Sequence, residues 1–363
     1  MWSDRRILDL LGIEHPILLA PMAGPCTADL AIAVAEAGGL GALPCALATP
    51  DQIRRDLGIV RQRTSRPVNL NFFVHKPPAP DAARDARWKA RLNGYYSEHG
   101  LDPAAPTPVS GRAPFDETSC AIVEEFRPEV VSFHFGLPDA GLLARVKATG
   151  AKVLSSATTV AEARWLAAHG CDAIIAQGYE AGGHRGLFLT DNTNDISSQA
   201  GTMALVPQIV DAVTCPVIAA GGITDARGIV AALALGASAV QIGTAYLFCP
   251  EANVTAIHRA ALANATDDGT ALTNVFTGRP ARGLINRVMR EVGPMSADAP
   301  AFPTAGGALV PLKAAAEAQG KGEFTSLWSG QAAALGRPLP AGALTEALVR
   351  ETQQQLRRLG QLV

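Results

Sequence analysis

The chain has 363 residues, 48% of them hydrophobic and 18% charged, with a formal net charge of −2. This balance excludes an intrinsically disordered chain, and the absence of a long basic run argues against a nucleic-acid partner. The length allows one large domain with an appendage, or two domains, with a sizeable core.

The first residues, Met1-Trp2-Ser3-Asp4-Arg5-Arg6, lead into a short amphipathic segment without the apolar core or cleavage site of a signal peptide. Further along, the alanine-rich stretch 229–240 is too short for a membrane span and is interrupted by Gly236 and Ser238. None of the six cysteines (Cys26, Cys45, Cys120, Cys171, Cys215 and Cys249) forms a CxxC pair. Most lie in apolar surroundings, where free cysteine acts as a small hydrophobe, so a reducing, cytoplasmic location and no metal site are expected.

Eight short apolar runs read as strands: 16–22, 40–43, 68–74, 130–135, 152–156, 173–177, 217–220 and 239–242. Helical patterns such as 28–37, 141–148, 160–168 and 226–235 lie between them. Alternating strands and helices with near-continuous apolar strands predict an α/β fold, a closed (β/α)8 TIM barrel, with an open doubly wound sheet as the structural alternative. A proline-rich, charged excursion at about 75–128 follows the third strand, and a second at 179–215 follows the sixth. After about residue 250 the strand pattern stops. The expected organisation is a barrel over 1–250 and a mainly helical subdomain over 251–363, packed near the barrel mouth.

Chemistry in such a barrel belongs at the carboxyl ends of the strands. Those ends carry Met22, Ala23 and Gly24 after strand one, Asn69 and Asn71 on strand three, His134 on strand four and Ser155-Ser156 on strand five. Strand six ends at Gln177, with Gly182, Gly183 and His184 beyond. Glycine admits a close-lying ligand, and histidine titrates nearest neutrality. His184 therefore reads either as an acid/base group above a bound cofactor or as a solvated loop residue. Strands seven and eight end in Gly221-Gly222 and Gly243-Thr244. Two such turns side by side can aim backbone N–H groups at a phosphate, or can simply permit tight strand–helix connections. Met22 suits the face of a flat ring but also ordinary core packing, and His134 suits a substrate contact or a hydrogen-bonded core site. Glu180 can orient His184, cap a helix or face water.

Taken together, the runs PILLAPMAGP (16–25), NLNFFVH (69–75), VVSFHFGLP (130–138), SSATTVAEA (155–163), QGYEAGGHRG (177–186), VIAAGGITD (217–225), GASAVQIGTAYLFCPE (236–251) and FTGRPARGLIN (276–286) resemble the class I nitronate monooxygenases. The resemblance implies FMN across the barrel mouth, its phosphate held by Gly221, Gly222, Gly243 and Thr244. Met22, Ala23, Asn71, Gln177, Gly182 and Gly183 would line its ring and ribityl chain. His184 is implied as the catalytic residue, with His134 and Met22 lining the substrate pocket. The implied reaction takes an alkyl nitronate, of which propionate 3-nitronate is the one the family suggests. It uses O2, passes through a flavosemiquinone and yields a carbonyl compound and nitrite without a reduced nicotinamide. A homodimer is compatible with the resemblance. Where relatives place tyrosines at the pocket mouth, the segment 298–303 has none, and Phe302 is the residue able to fill space there. The principal alternative is an FMN-dependent NAD(P)H reductase of the same barrel superfamily, acting on an enoyl-acyl-carrier protein or a quinone. A non-redox barrel lyase or synthase and a non-catalytic flavin binder are more distant alternatives.

Overall fold

The structure, a computed structural model, describes residues 2–108 and 111–361. Helix α1 (Arg6–Leu11) comes first, followed by β1 (Ile17–Leu19), α2 (Ala28–Glu36), β2 (Gly41–Pro44), α3 (Pro50–Arg63) and β3 (Val68–Phe73). Two helices, α4 (Ala82–Glu98) and α5 (Glu117–Phe126), precede β4 (Val130–His134), α6 (Ala140–Ala148), β5 (Lys152–Ala157), α7 (Val160–Ala168) and β6 (Ala173–Gln177). Then come the two-residue β7 (Gly183–His184), α8 (Thr202–Val210), β8 (Val217–Ala220), α9 (Ala226–Ala234) and β9 (Ala239–Ile242). The remainder comprises α10 (Ala256–Ala263), β10 (Thr270–Thr273), β11 (Ala281–Leu284), α11 (Arg287–Glu291), α12 (Val310–Glu317) and α13 (Ala341–Gly360).

Eight strands form one parallel sheet in the order β1-β9-β8-β6-β5-β4-β3-β2. The ring closes between its ends, where Leu19 N–H donates to Leu40 O (2.9 Å) and Leu40 N–H to Ile17 O (3.0 Å). The expected TIM barrel is therefore present. Alternation along the strands sorts the core. Leu18, Leu154, Ile175, Ile218 and Ala239 point inward and pack with Ile7, Leu8 and Leu11 of α1, which plugs the amino-terminal end. Their neighbours Ile17, Leu19, Val153, Ile174, Val217 and Val240 face the helices. Local signals set the helix starts: Thr27 Oγ1 accepts from Leu30 N–H, and Thr49 forms a capping box with Gln52 ahead of Pro50.

The excursion after β3 contains α4, which builds a second core with the carboxyl-terminal part. Trp88, Leu92 and Tyr96 pack with Val275, Val288, Leu309, Leu312 and Phe324. Trp88 Nε1–H donates to Ala305 O (3.0 Å) and Tyr96 Oη–H to Ala308 O (2.7 Å). Helix α13 instead returns to the barrel and lies against α2 and α9. Residues beyond 250 also contain strand, where the sequence pattern showed none. β10, β11 and β7 form a small antiparallel sheet, with Ala281 paired to His184 and Arg282 to Gly183. These strands are short, and β11 carries Arg282 and Gly283 at its centre, so neither length nor β-propensity marks it in sequence. No helix among the described residues is long and apolar enough to cross a membrane.

Candidate active site

A cavity of about 540 Å³ opens at the carboxyl ends of the barrel strands. It gathers Met22, Ala23, Asn71, His134, Gln177, Gly182, Gly183, His184, Gly221, Gly222, Gly243 and Thr244, drawn from six strands and the loops that follow them. Gly221 and Gly222 have φ of 116° and 70°, values that side-chain-bearing residues rarely adopt. A Cβ on Gly221 would stand 2.9 Å from Thr202 Oγ1. Among the described residues no acceptor meets the backbone N–H groups of Gly222, Gly243 or Thr244. Such donors at the start of the 3₁₀ turn Thr244–Phe248 and in the turn before α9 suit an anionic group.

His184 is held on β7. Its carbonyl accepts from Gln177 Nε2–H (2.9 Å) and lies 3.2 Å from His134 Nε2. Its own Nε2 lies 3.0 Å from Thr277 Oγ1. Gln177 closes the loop from the other side, accepting Gly186 N–H at Oε1 (2.8 Å), while Ser156 Oγ lies 2.6 Å from His134 Nδ1. Around the His184 ring stand Phe73, Phe135, Phe302 and Trp328, with centroids 5.3 to 6.1 Å away. Burial in this aromatic box, reinforced by the cations Arg112 and Arg279, keeps the imidazole well below its ordinary pKa. Burial likewise takes His134 down to about 3 and His75 to about 4. All three are therefore neutral at physiological pH. Among the described residues no Asp or Glu lines the cavity, whereas Arg112 and Lys313 do.

A family model for nitronate monooxygenase matches residues 4–351. The chain belongs to the nitronate monooxygenase family. Over 361 residues it is 42% identical to a nitronate monooxygenase from Paraburkholderia phytofirmans, covering 99% of this chain and 98% of that one. Its fold superposes with a TM-score of 0.88 and 39% identity on nitroalkane oxidase from Streptomyces ansochromogenes, over 98% of this chain and 99% of the other. FabK from Thermotoga maritima is similar at a TM-score of 0.72 and 28% identity, over 99% of each chain. The chain is thus an oxidoreductase of the nitronate monooxygenase family.

In this family member the His184 loop is bound to the barrel by buried cations. Arg185 is fully buried; its guanidinium donates to Gln177 O (2.8 Å), to Gln199 Oε1 (3.0 Å) and to Gly178 O. Arg279 donates to Leu187 O and lies over the Phe135 ring, 3.9 Å from its centroid. Arg282 donates from Nε to Tyr179 O (3.1 Å). Glu180 turns away from His184 and caps α8, accepting Thr202 N–H and Oγ1–H at 2.8 Å each. Phe302 does not line the cavity; it backs His184 and His75, 4.8 Å from the latter.

Several cavity residues carry no readable signal in the sequence. Gly330 N–H donates to Thr244 Oγ1 (2.9 Å), and a Cβ on Gly182 would lie 2.6 Å from Gly330 N, so the loop at 325–332 closes over the glycine turn. Trp328 arrives on that loop, Arg112 from the excursion after β3 and Lys313 from α12. Thr277 lies inside the FTGRPARG run, which marks it as part of a motif without disclosing its partner.

Proposed function

We propose that the cavity binds FMN and that the enzyme oxidises alkyl nitronates, and the nitroalkanes that give rise to them, with O2. The glycine turns with unengaged N–H groups fit the phosphate, so Gly221, Gly222, Gly243 and Thr244 would hold it. Met22, Ala23, Asn71, Gln177, Gly182 and Gly183 would line the ring and ribityl chain. When bound, FMN supplies the electron-accepting chemistry that, with O2, takes the nitronate to a carbonyl compound and nitrite.

The observation that carries this reading is a neutral His184 on a cavity wall that has cations but no carboxylates. Lys313 and Arg112 favour an anionic nitronate over its neutral parent. His184 Nδ1 has no partner among the described residues and is not among the buried unpartnered atoms, so it is accessible to a ligand. A neutral ring nitrogen placed there accepts the α-proton of a nitroalkane and delivers the nitronate to the same cations. His134, on the opposite side of the His184 carbonyl, orients the loop and walls the substrate space.

The test is anaerobic mixing of FMN-loaded protein with propionate 3-nitronate, followed by O2 and a nitrite assay. A change in the flavin spectrum before O2 and nitrite after it supports the reading. A flavin that stays oxidised with the nitronate and bleaches with NADH moves the chain to the NAD(P)H reductases. Failure to take up FMN overturns both.

A further inference from the structure

The imidazole of His184 has two tautomers, and only one leaves Nδ1 as the acceptor the proposed reaction needs. The ring is packed among Phe73, Phe135, Phe302 and Trp328, and its backbone is paired with Ala281. The choice falls to what Nε2 meets, and among the described residues that is Thr277 Oγ1 at 3.0 Å. A threonine hydroxyl has a single proton. Arg279 O lies 3.3 Å from Thr277 Oγ1 and, as a carbonyl, engages that oxygen only by accepting its proton. With Nε2 protonated, both contacts of the hydroxyl are made at once, the oxygen accepting from Nε2–H and its proton going to Arg279 O; the other tautomer forfeits the Arg279 contact. Thr277 is 1% exposed, which keeps water from offering a substitute.

We propose that Thr277 is a positioning residue that holds His184 as its Nε2–H tautomer and so presents the Nδ1 lone pair to the cavity. The role rests on the functional reading above, in which His184 acts as a base. Thr277 comes from the carboxyl-terminal lobe, 93 residues beyond His184, and is set by the turn that leads into β11. Gly278 makes this turn possible: its φ is 89°, and a Cβ there would lie 2.0 Å from Pro300 O. The lobe thereby supplies the tautomeric control of a base that the barrel carries.

The deciding experiment uses FMN-loaded protein labelled with [15N]histidine. Two-bond proton–nitrogen correlation spectra identify each tautomer, with His184→Asn assigning the signal. The wild type is expected to show His184 as the Nε2–H form at neutral pH. Thr277→Val keeps the shape but removes the acceptor; it is expected to give a mixture or the Nδ1–H form, and Thr277→Ser to restore the original pattern. Thr277→Ala replaces the valine variant should the latter not fold. In parallel, nitroalkane turnover by Thr277→Val falls on the order of 10²-fold, the lower range of general-base catalysis, while turnover of a supplied nitronate falls far less. A wild-type Nδ1–H tautomer, or an unchanged Nε2–H pattern in the valine variant, overturns the proposal. Absence of nitrite from either substrate would sink the functional reading instead, and the spectra would still decide the role of Thr277.

Discussion

Replacing His184 by asparagine keeps a planar polar side chain but removes the ring nitrogen able to accept a carbon-bound proton. His184→Asn is expected to lower nitrite formation from a nitroalkane by about 10²–10⁴-fold, the usual worth of a general base. FMN content, read from the visible spectrum, should be retained, because the His184 contacts to Gln177 and His134 run through its carbonyl. Turnover of a preformed nitronate should suffer less. The rate profile carries a second signature. With the His184 pKa pressed well below 6.5 by burial and by the neighbouring cations, turnover should show no histidine-like decline as pH falls from 8 to 6. At this scale the sequence disclosed most of the groups. His184, His134, Asn71 and the glycine pairs all stand at strand ends, and the structure brings them to one cavity. It did not disclose Thr277, because a hydroxyl that sets a tautomer has no signature apart from its distance to another side chain. Nor did it resolve the three readings of Glu180, which depended on where α8 begins.

Among the elements, the β8–α9 turn is one where a methyl group does its damage at the cavity itself. Gly221→Ala adds a Cβ at φ 116° and 2.9 Å from Thr202 Oγ1. Strain of this kind amounts to about 1–3 kcal/mol and is carried by the apoprotein, whose melting temperature should fall by a few degrees; relief by shifting the turn moves the Gly222 N–H, so FMN affinity should weaken as well, by about 10–100-fold in a fluorescence titration. The barrel strands were legible because most are near-continuous apolar runs alternating with helical patterns, even though β3 carries Asn69 and Asn71 and β5 carries Ser155 and Ser156. β10 and β11 were not legible. They are four residues each, and they exist because β7 and β11 pair across nearly a hundred positions. A mainly helical carboxyl-terminal part was expected from the sequence, but that expectation did not reveal that α13 would return to cover α2 and α9.

For the whole molecule, two cores share one cavity. Trp88 is 1% exposed in the core of the second lobe, and Trp88→Ala should cost about 3–5 kcal/mol. Because that lobe delivers Thr277 and Trp328, activity should be lost at temperatures where barrel helicity, followed by circular dichroism, persists. Acid stability is also a property of the whole. His75, His134 and His184 are neutral when folded, with pKa values of about 4, about 3 and well below 6.5 respectively. The unfolded chain takes up protons at these sites near pH 6.5 while the folded chain does not, so unfolding is favoured as pH falls below that value. Each site contributes up to about 1.4 kcal/mol per pH unit between its unfolded and folded pKa. Urea midpoints should therefore drop steeply between pH 6.5 and 4.5, and His75→Phe, which fits the ring box, should flatten that slope.

The return of α13 to the barrel has a consequence for biogenesis. Its Ala341, Leu344, Leu348 and Val349 complete the apolar layer that α2 and α9 begin, and its Thr345 meets Tyr246 beneath β9. The helix that seals the seam between the first and last strands is thus translated after everything it covers. A nascent chain can assemble most of the ring on the ribosome, yet it carries an open hydrophobic furrow until α13 has been translated. Premature termination before α13 should therefore leave a sticky, chaperone-dependent intermediate, so synthesis of this helix itself serves as a checkpoint for the finished fold.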